Sequence, residues 1–190
     1  MAQSRGQKGK GKKSKFPMWG IGIVVVLVVA IAGYAIVRLS HAGGSGGSSA
    51  DYPVSALQGS KGAYTTTISK SNGTKMTVWA LPKGESLYLF PSANLTYLYN
   101  GRRLNYCASA QRLNGDIGQA NINGSGFYPS GSGQQVSATL NIGVAKQYCS
   151  GDIGQYVNLA VPPGSYFIKY MGITNDSNYP LYVTSLGYSY

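Results

Sequence analysis

Hydrophobic patterning divides the chain into two regimes. From Phe16 to Val37 there is no charged residue, and the part from Trp19 to Val37 would rise about 28 Å as a helix, close to the ~30 Å of a bilayer's hydrocarbon core. Beyond Tyr52 no 3.6-residue apolar period persists over a helix length. Instead Thr, Tyr, Val and Ile alternate with polar residues between Gly, Pro and Asn punctuation, the pattern of short half-buried strands.

Two Asn-Gly pairs predict hairpins, because a two-residue type I′ loop needs positive φ at both centres and these residues tolerate it. Asn72-Gly73 would join Tyr64–Ser71 to Thr74–Ala80, and Asn100-Gly101 would join Asn94–Tyr99 to Arg102–Cys107. The clearest strand is Gln135–Ile142, where Val136, Ala138, Leu140 and Ile142 alternate with Ser137, Thr139 and Asn141. Asp152–Val161 and Ser165–Tyr170 would flank a turn at Pro162-Pro163-Gly164, and Leu181–Tyr188 closes the chain. With Ser86–Phe90 and Ile117–Asn123 the total is about ten strands, which predicts an all-β, two-sheet β-sandwich, jelly-roll or immunoglobulin-like, behind one N-terminal transmembrane helix.

Charge sharpens this layout. The formal net charge is +11, but six basic residues (Arg5, Lys8, Lys10, Lys12, Lys13 and Lys15) precede the apolar segment without an acid among them. Such a tail holds its end in the cytoplasm and attracts anionic headgroups of the bilayer. From Gly43 onward nine basic residues face five acidic ones, too mild an excess for a nucleic-acid footprint. The expected organisation is therefore a basic cytoplasmic tail (1–15), a signal-anchor helix (16–38), a flexible Gly/Ser-rich linker (39–51) and an extracytoplasmic sandwich (52–190). Ser40-His41-Ala42 offers a rival reading, cleavage after Ala42. The apolar segment exceeds the 7–15 residues of a signal h-region, and Arg38 stands between it and the site, which favours the anchor.

Cys107 and Cys149 are the only cysteines, and outside the membrane they are expected to form a disulfide that closes a loop of about 43 residues, worth roughly 4 kcal/mol in a chain-entropy model. Each follows a Tyr and precedes the same pentapeptide, Gly115-Asp116-Ile117-Gly118-Gln119 and Gly151-Asp152-Ile153-Gly154-Gln155. The bland reading is a turn entering a strand, used twice. In the functional one the disulfide brings the two copies together, so that Asp116, Gln119, Asp152 and Gln155 form a ligand surface for a polyhydroxyl ligand or a weakly held Ca²⁺. No resident cofactor or metal is expected. With five acids, one linker histidine (His41) and no phosphate-cradling or zinc motif, the chain is not expected to be an enzyme. Sequons begin at Asn72, Asn94, Asn123 and Asn175.

The run Pro162-Pro163-Gly164-Ser165-Tyr166-Phe167-Ile168-Lys169-Tyr170 resembles the Pro-x-Gly-x-Tyr lead into a strand of many secreted β-sandwich modules, carbohydrate-binding and prepeptidase-like C-terminal domains among them. That resemblance covers nine residues and implies a sandwich fold. The 16 tyrosines, beside Asn, Ser and Gly, suit both sheet packing and surfaces that bind sugars or proteins. The expectation is a membrane-anchored binding or adhesion module for an extracellular glycan or protein, with homo-oligomers allowed. The alternatives are a structural subunit of a surface layer, filament or virion envelope, or an accessory subunit of a membrane complex.

Overall fold

Polar–apolar alternation becomes two antiparallel sheets packed face to face in the structure, a computed structural model that describes residues 49–70, 72–91, 94–97, 103–159 and 164–190. The expected tail, membrane helix and most of the linker lie outside the described residues, as do the Asn100-Gly101 and Pro162-Pro163 turns. Among the described residues, none belongs to a helix long and apolar enough to cross a membrane.

Thirteen strands are described: β1 (Ser49–Pro53), β2 (Gln58–Gly59), β3 (Tyr64–Ser69), β4 (Lys75–Leu81), β5 (Ser86–Leu89), β6 (Asn94–Tyr97), β7 (Arg103–Gln111), β8 (Gly118–Phe127), β9 (Gly133–Ile142), β10 (Lys146–Cys149), β11 (Val157–Asn158), β12 (Gly164–Asn175) and β13 (Leu181–Ser189). The first sheet runs β10-β7-β13-β4-β3, with β1 added to β13 and β11 to β7. The second runs β2-β5-β12-β8-β9, with β6 added to β12. Four pairings nest inside one another: β4 with β13, β5 with β12, β7 with β10 and β8 with β9. A long antiparallel ribbon wrapped across two sheets in this way is a jelly roll, which decides between the two expected topologies.

Several local expectations change. The Asn72-Gly73 hairpin forms, but Lys70 N–H donates to the Thr74 carbonyl and Gly73 N–H to that of Lys70, leaving a three-residue loop in place of the two-residue type I′ turn. The strands around Asn100-Gly101 are not hairpin partners, since β6 pairs in the second sheet and β7 in the first. The expected strand Asp152–Val161 instead begins with Asp152 and Ile153 in a 3-10 turn (Ser150–Ile153), and among its described residues only Val157–Asn158 are strand. Order begins earlier than Tyr52: β1 pairs Ser49, Ala50 and Asp51 with Ser189, Tyr188 and Gly187, so the last linker residues become an edge strand.

The core fills the space between the sheets. In β9 the alternation is realised as read, with Val136, Ala138, Leu140 and Ile142 buried and Ser137, Thr139 and Asn141 exposed. In β8 the inward positions shrink from Ala120 and Ile122 to Gly124 and Gly126, because the fully buried rings of Tyr106 and Tyr166 lie against the two glycines. A Cβ on either would come within 2.5 Å of a tyrosine ring. Burial pushes both hydroxyls above the ordinary tyrosine range, so they stay neutral. Tyr128 meets Tyr166 edge-on at 5.2 Å between centroids.

One end of the sandwich is tied by a buried arginine. Arg112, 5% exposed, donates to the carbonyls of Ile142 (3.1 Å), Gln119 (3.0 Å) and Tyr179, and to Asn175 Oδ1 (3.0 Å). Asn175 is itself buried and donates to the carbonyls of Leu81 (2.8 Å) and Tyr179 (3.0 Å). Loss of hydration lowers the guanidinium pKa and the nearby Asp116 carboxylate opposes that shift. An arginine starts so high that it stays charged. Replacing Arg112 with Leu would remove four charge-assisted hydrogen bonds. Although Asn175 Oδ1 keeps the Ser177 N–H, and the Tyr179 and Gln119 carbonyls keep Asn175 Nδ2 and the Asp176 N–H, the replacement is expected to cost about 3 kcal/mol in chemical denaturation.

Cys107 and Cys149 sit opposite each other on β7 and β10, with Cα atoms 4.1 Å apart, and are joined as expected. Because neighbouring pairs on both strands already hold that geometry, the bond acts mainly on the unfolded chain. Reduction, or a double Cys→Ser variant, is expected to lower stability by about 4 kcal/mol while leaving far-ultraviolet circular dichroism unchanged below the melting transition.

Candidate functional site: the outer face of the second sheet

In a strand whose alternate side chains enter a core, the intervening ones form a surface. The outward positions of the second sheet are Tyr88 on β5, Tyr170, Gly172 and Thr174 on β12, Asn121, Asn123 and Ser125 on β8, and Gln135, Ser137 and Thr139 on β9. All of these are uncharged, and the exposed Lys169 at the β12 bulge is the charged residue beside them. Asn121 Nδ2 donates to Ser137 Oγ (2.9 Å) and Thr139 Oγ1 (3.2 Å), and Asn123 Nδ2 donates to Asn121 Oδ1 (3.2 Å). Ser86 and Thr174 share a hydroxyl hydrogen bond of 2.8 Å, and Gln135 Nε2 donates to the Tyr170 hydroxyl at 3.4 Å. Amides and hydroxyls are thus held in fixed directions across four strands.

Aromatic rings border this ladder. Tyr88 and Phe90 lie 6.2 Å apart at one side, and Phe127 and Phe167, paired across β8 and β12, stack at 5.4 Å. Phe90 and Phe127 are 58% and 41% exposed, too much for core residues, so their rings are available as contact surfaces. Gly172 lies between Tyr88 and Asn123. A Cβ there would stand 2.9 Å from the Tyr88 ring, 2.9 Å from the Leu87 carbonyl and 3.3 Å from Asn123 Oδ1, so glycine lets both neighbours close over the strand.

The residues singled out from the repeat do not converge. Asp116 follows β7 in a turn where its N–H donates to the Leu113 carbonyl. Asp152 lies in the 3-10 turn and accepts from Cys149 N–H at 2.8 Å, and the neighbouring Gly151 packs against Asn105. Arg112 and Asn105 are separated by nearly the length of β7, on the order of 23 Å, so the disulfide does not bring the two copies together. Gln119 alone reaches the second sheet's outer face, where it stands opposite Asn141. Gln155 is exposed beside the 3-10 turn and its N–H donates to the Ser150 carbonyl. Among the described residues no three His, Cys, Asp or Glu side chains gather in a metal-holding group.

The two copies also differ in conformation. In the first, Asn114 (φ 58°) and Gly115 (φ 76°) make the two centres of a type I′ turn; in the second the positive φ falls on Gly154 (76°). Asn114-Gly115 was a third Asn-Gly signal in the sequence, and it connects strands of different sheets. The ladder was visible as well: it is the polar half of the alternation in β8 and β9 whose apolar half predicts the core.

No family model matches the sequence, and no curated protein matches it significantly. Several solved structures are similar in fold. The CBM22-1 xylan-binding domain of Paenibacillus barcinonensis Xyn10C aligns over 77% of this chain and 96% of its own, with 8% identity and a TM-score of 0.43. The CBM36-1 domain of a multidomain xylanase from the hindgut metagenome of Trinervitermes trinervoides aligns over 74% and 95%, with 13% identity and a TM-score of 0.40. The chain spans 26% of the CBM22-1-GH10 modules of Clostridium thermocellum Xyn10B, which align over 72% of this chain at 13% identity and a TM-score of 0.44.

The four sequons differ sharply in setting. Asn72 is exposed at a hairpin tip, and Asn123 stands on the polar ladder. Asn175 is fully buried with both ends of its amide engaged. Expressed through a glycosylating secretory pathway, the folded protein is expected to carry glycan at Asn72 and none at Asn175, as peptide mapping by mass spectrometry would show.

Proposed function

We infer that this is a non-catalytic surface module that binds an extracellular glycan on the outer face of the second sheet. The observation that carries it is the uncharged ladder of Asn, Ser, Thr and Gln side chains between the Tyr88–Phe90 and Phe127–Phe167 ring pairs. A sugar offers hydroxyls around its rim and C–H bonds on its faces. Oriented amides match the first and exposed rings the second. The scarcity of acid–base side chains in the domain, whose sequence holds no histidine after His41, favours binding over catalysis.

Placement at a membrane is part of the same reading and rests on the uncharged segment Phe16–Val37, the basic residues before it and the Gly/Ser stretch after it. The accessory-subunit reading has no such observation behind it. A structural subunit has one: among the described strands β9, ten residues without charge or proline, pairs with β8 alone and ends the second sheet.

Tyr88→Ala is expected to weaken glycan binding about tenfold while changing stability by less than about 1 kcal/mol, as read by calorimetry with a ligand from a glycan array. An array without signal above background would remove the glycan reading. Regular assemblies by electron microscopy, abolished by Thr139→Lys on β9, would then favour the structural one.

A further inference from the structure

Loops at the Arg112 end of the sandwich expose large apolar side chains. Ile117 in the β7–β8 loop is 65% exposed, Val144 between β9 and β10 is 75% exposed, and Tyr179 between β12 and β13 is 48% exposed. Their loops gather on one residue: the Arg112 guanidinium bonds the carbonyls of Gln119, Ile142 and Tyr179, and its backbone N–H donates to the Gly143 carbonyl at 2.7 Å. Ile117 lies against Gly143, where a Cβ would stand 3.1 Å from Ile117 Cγ1, and so neighbours Val144. Much of the backbone beneath these tips is bonded within the protein. The Tyr148 hydroxyl accepts from Gly143 N–H (3.0 Å) and donates to the Val144 carbonyl (2.8 Å). Asp116 N–H donates to the Leu113 carbonyl (3.0 Å), and Tyr179 N–H to Ser177 Oγ (3.2 Å). Loop backbone ordinarily depends on water for such groups, and here these groups can be dehydrated without losing a partner.

We propose that this end of the domain dips into the interface of a lipid bilayer, with Ile117 and Val144 at the acyl boundary and the Tyr179 ring at headgroup level. Three exposed side chains cover far less than the ~800 Å² per partner of a stable protein–protein interface, whereas shallow insertion into lipid needs no such minimum. In the loops of this end Arg112 and Lys83 stand against Glu85, Asp116 and Asp176, so the attraction is apolar and calls for no anionic lipid. The uncharged segment Phe16–Val37, long enough to span, brings a bilayer within reach under the membrane reading above. The apolar tips share no residue with the aromatic face of the second sheet and act independently of ligand there.

The test is fluorescence of the full-length chain reconstituted in phosphatidylcholine vesicles, with a polarity-sensitive dye on Val144→Cys and nitroxide-labelled lipid as quencher. The dye is expected to shift to the blue and lose emission to the nitroxide, and about 500 mM salt should change neither response. The same dye on Asn72→Cys, at the exposed β3–β4 turn, should show neither. Ile117→Ser with Tyr179→Ser should abolish both responses at unchanged melting temperature, and Ile117→Leu with Tyr179→Trp should keep them. Flotation of the double Ser variant with the vesicles reads the membrane segment separately from the tips. A blue shift that grows with protein density and ignores the nitroxide would assign the tips to a second copy of the chain and overturn the proposal. A dye at position 144 that stays in water, or quenching that survives the double Ser variant, would overturn it as well.

Discussion

The contact between Arg112 and Asn175 holds together the end of the sandwich where the chain repeatedly changes sheets. The segments after β4, β7, β9 and β12 all cross from one sheet to the other there, and each leaves carbonyls without a strand partner. Arg112 takes those of Gln119, Ile142 and Tyr179, and Asn175 adds that of Leu81, so one guanidinium and one amide satisfy all four crossings. The backbone of Asn175 extends the tie, with its carbonyl accepting from Gly84 N–H and its N–H donating to Glu85. A charge buried among carbonyls is tolerated because each of its three nitrogens finds an oxygen.

With the crossings held, the sheets are free to divide labour by face. Inward positions carry the apolar residues and the Tyr106–Tyr166 pair, which the glycines of β8 make room for. Outward positions on the second sheet need contribute nothing to the core, and they carry the amide ladder and its aromatic border. Stability and recognition therefore occupy alternate residues of the same strands, so substitutions at Asn121 or Ser137 are separable from folding in a way that Ile122 or Ala138 is not.

The repeated pentapeptide shows how far local sequence can mislead. Identical residues adopt positive φ at the first glycine in one copy and at the second in the other, because the first copy follows Asn114 out of a strand and the second follows the cystine into a 3-10 turn. Its first copy wraps the Arg112 knot and its second caps the end of β10. Neither is a half of a shared site.

By itself the sequence determined the β class, the alternating faces of β9, the cystine and the turn at Asn72-Gly73, since each follows from periodicity or chemistry within a few residues. It equally contained the outward residues of β8 and β9, which follow from the same period of two. Only the tertiary structure decided that strands flanking Asn100-Gly101 part to different sheets and that Arg112 and Asn175 meet. Those relations join residues far apart in the chain, and they depend on which strands pair, a choice made by the packing of the whole ribbon and encoded in no local pattern.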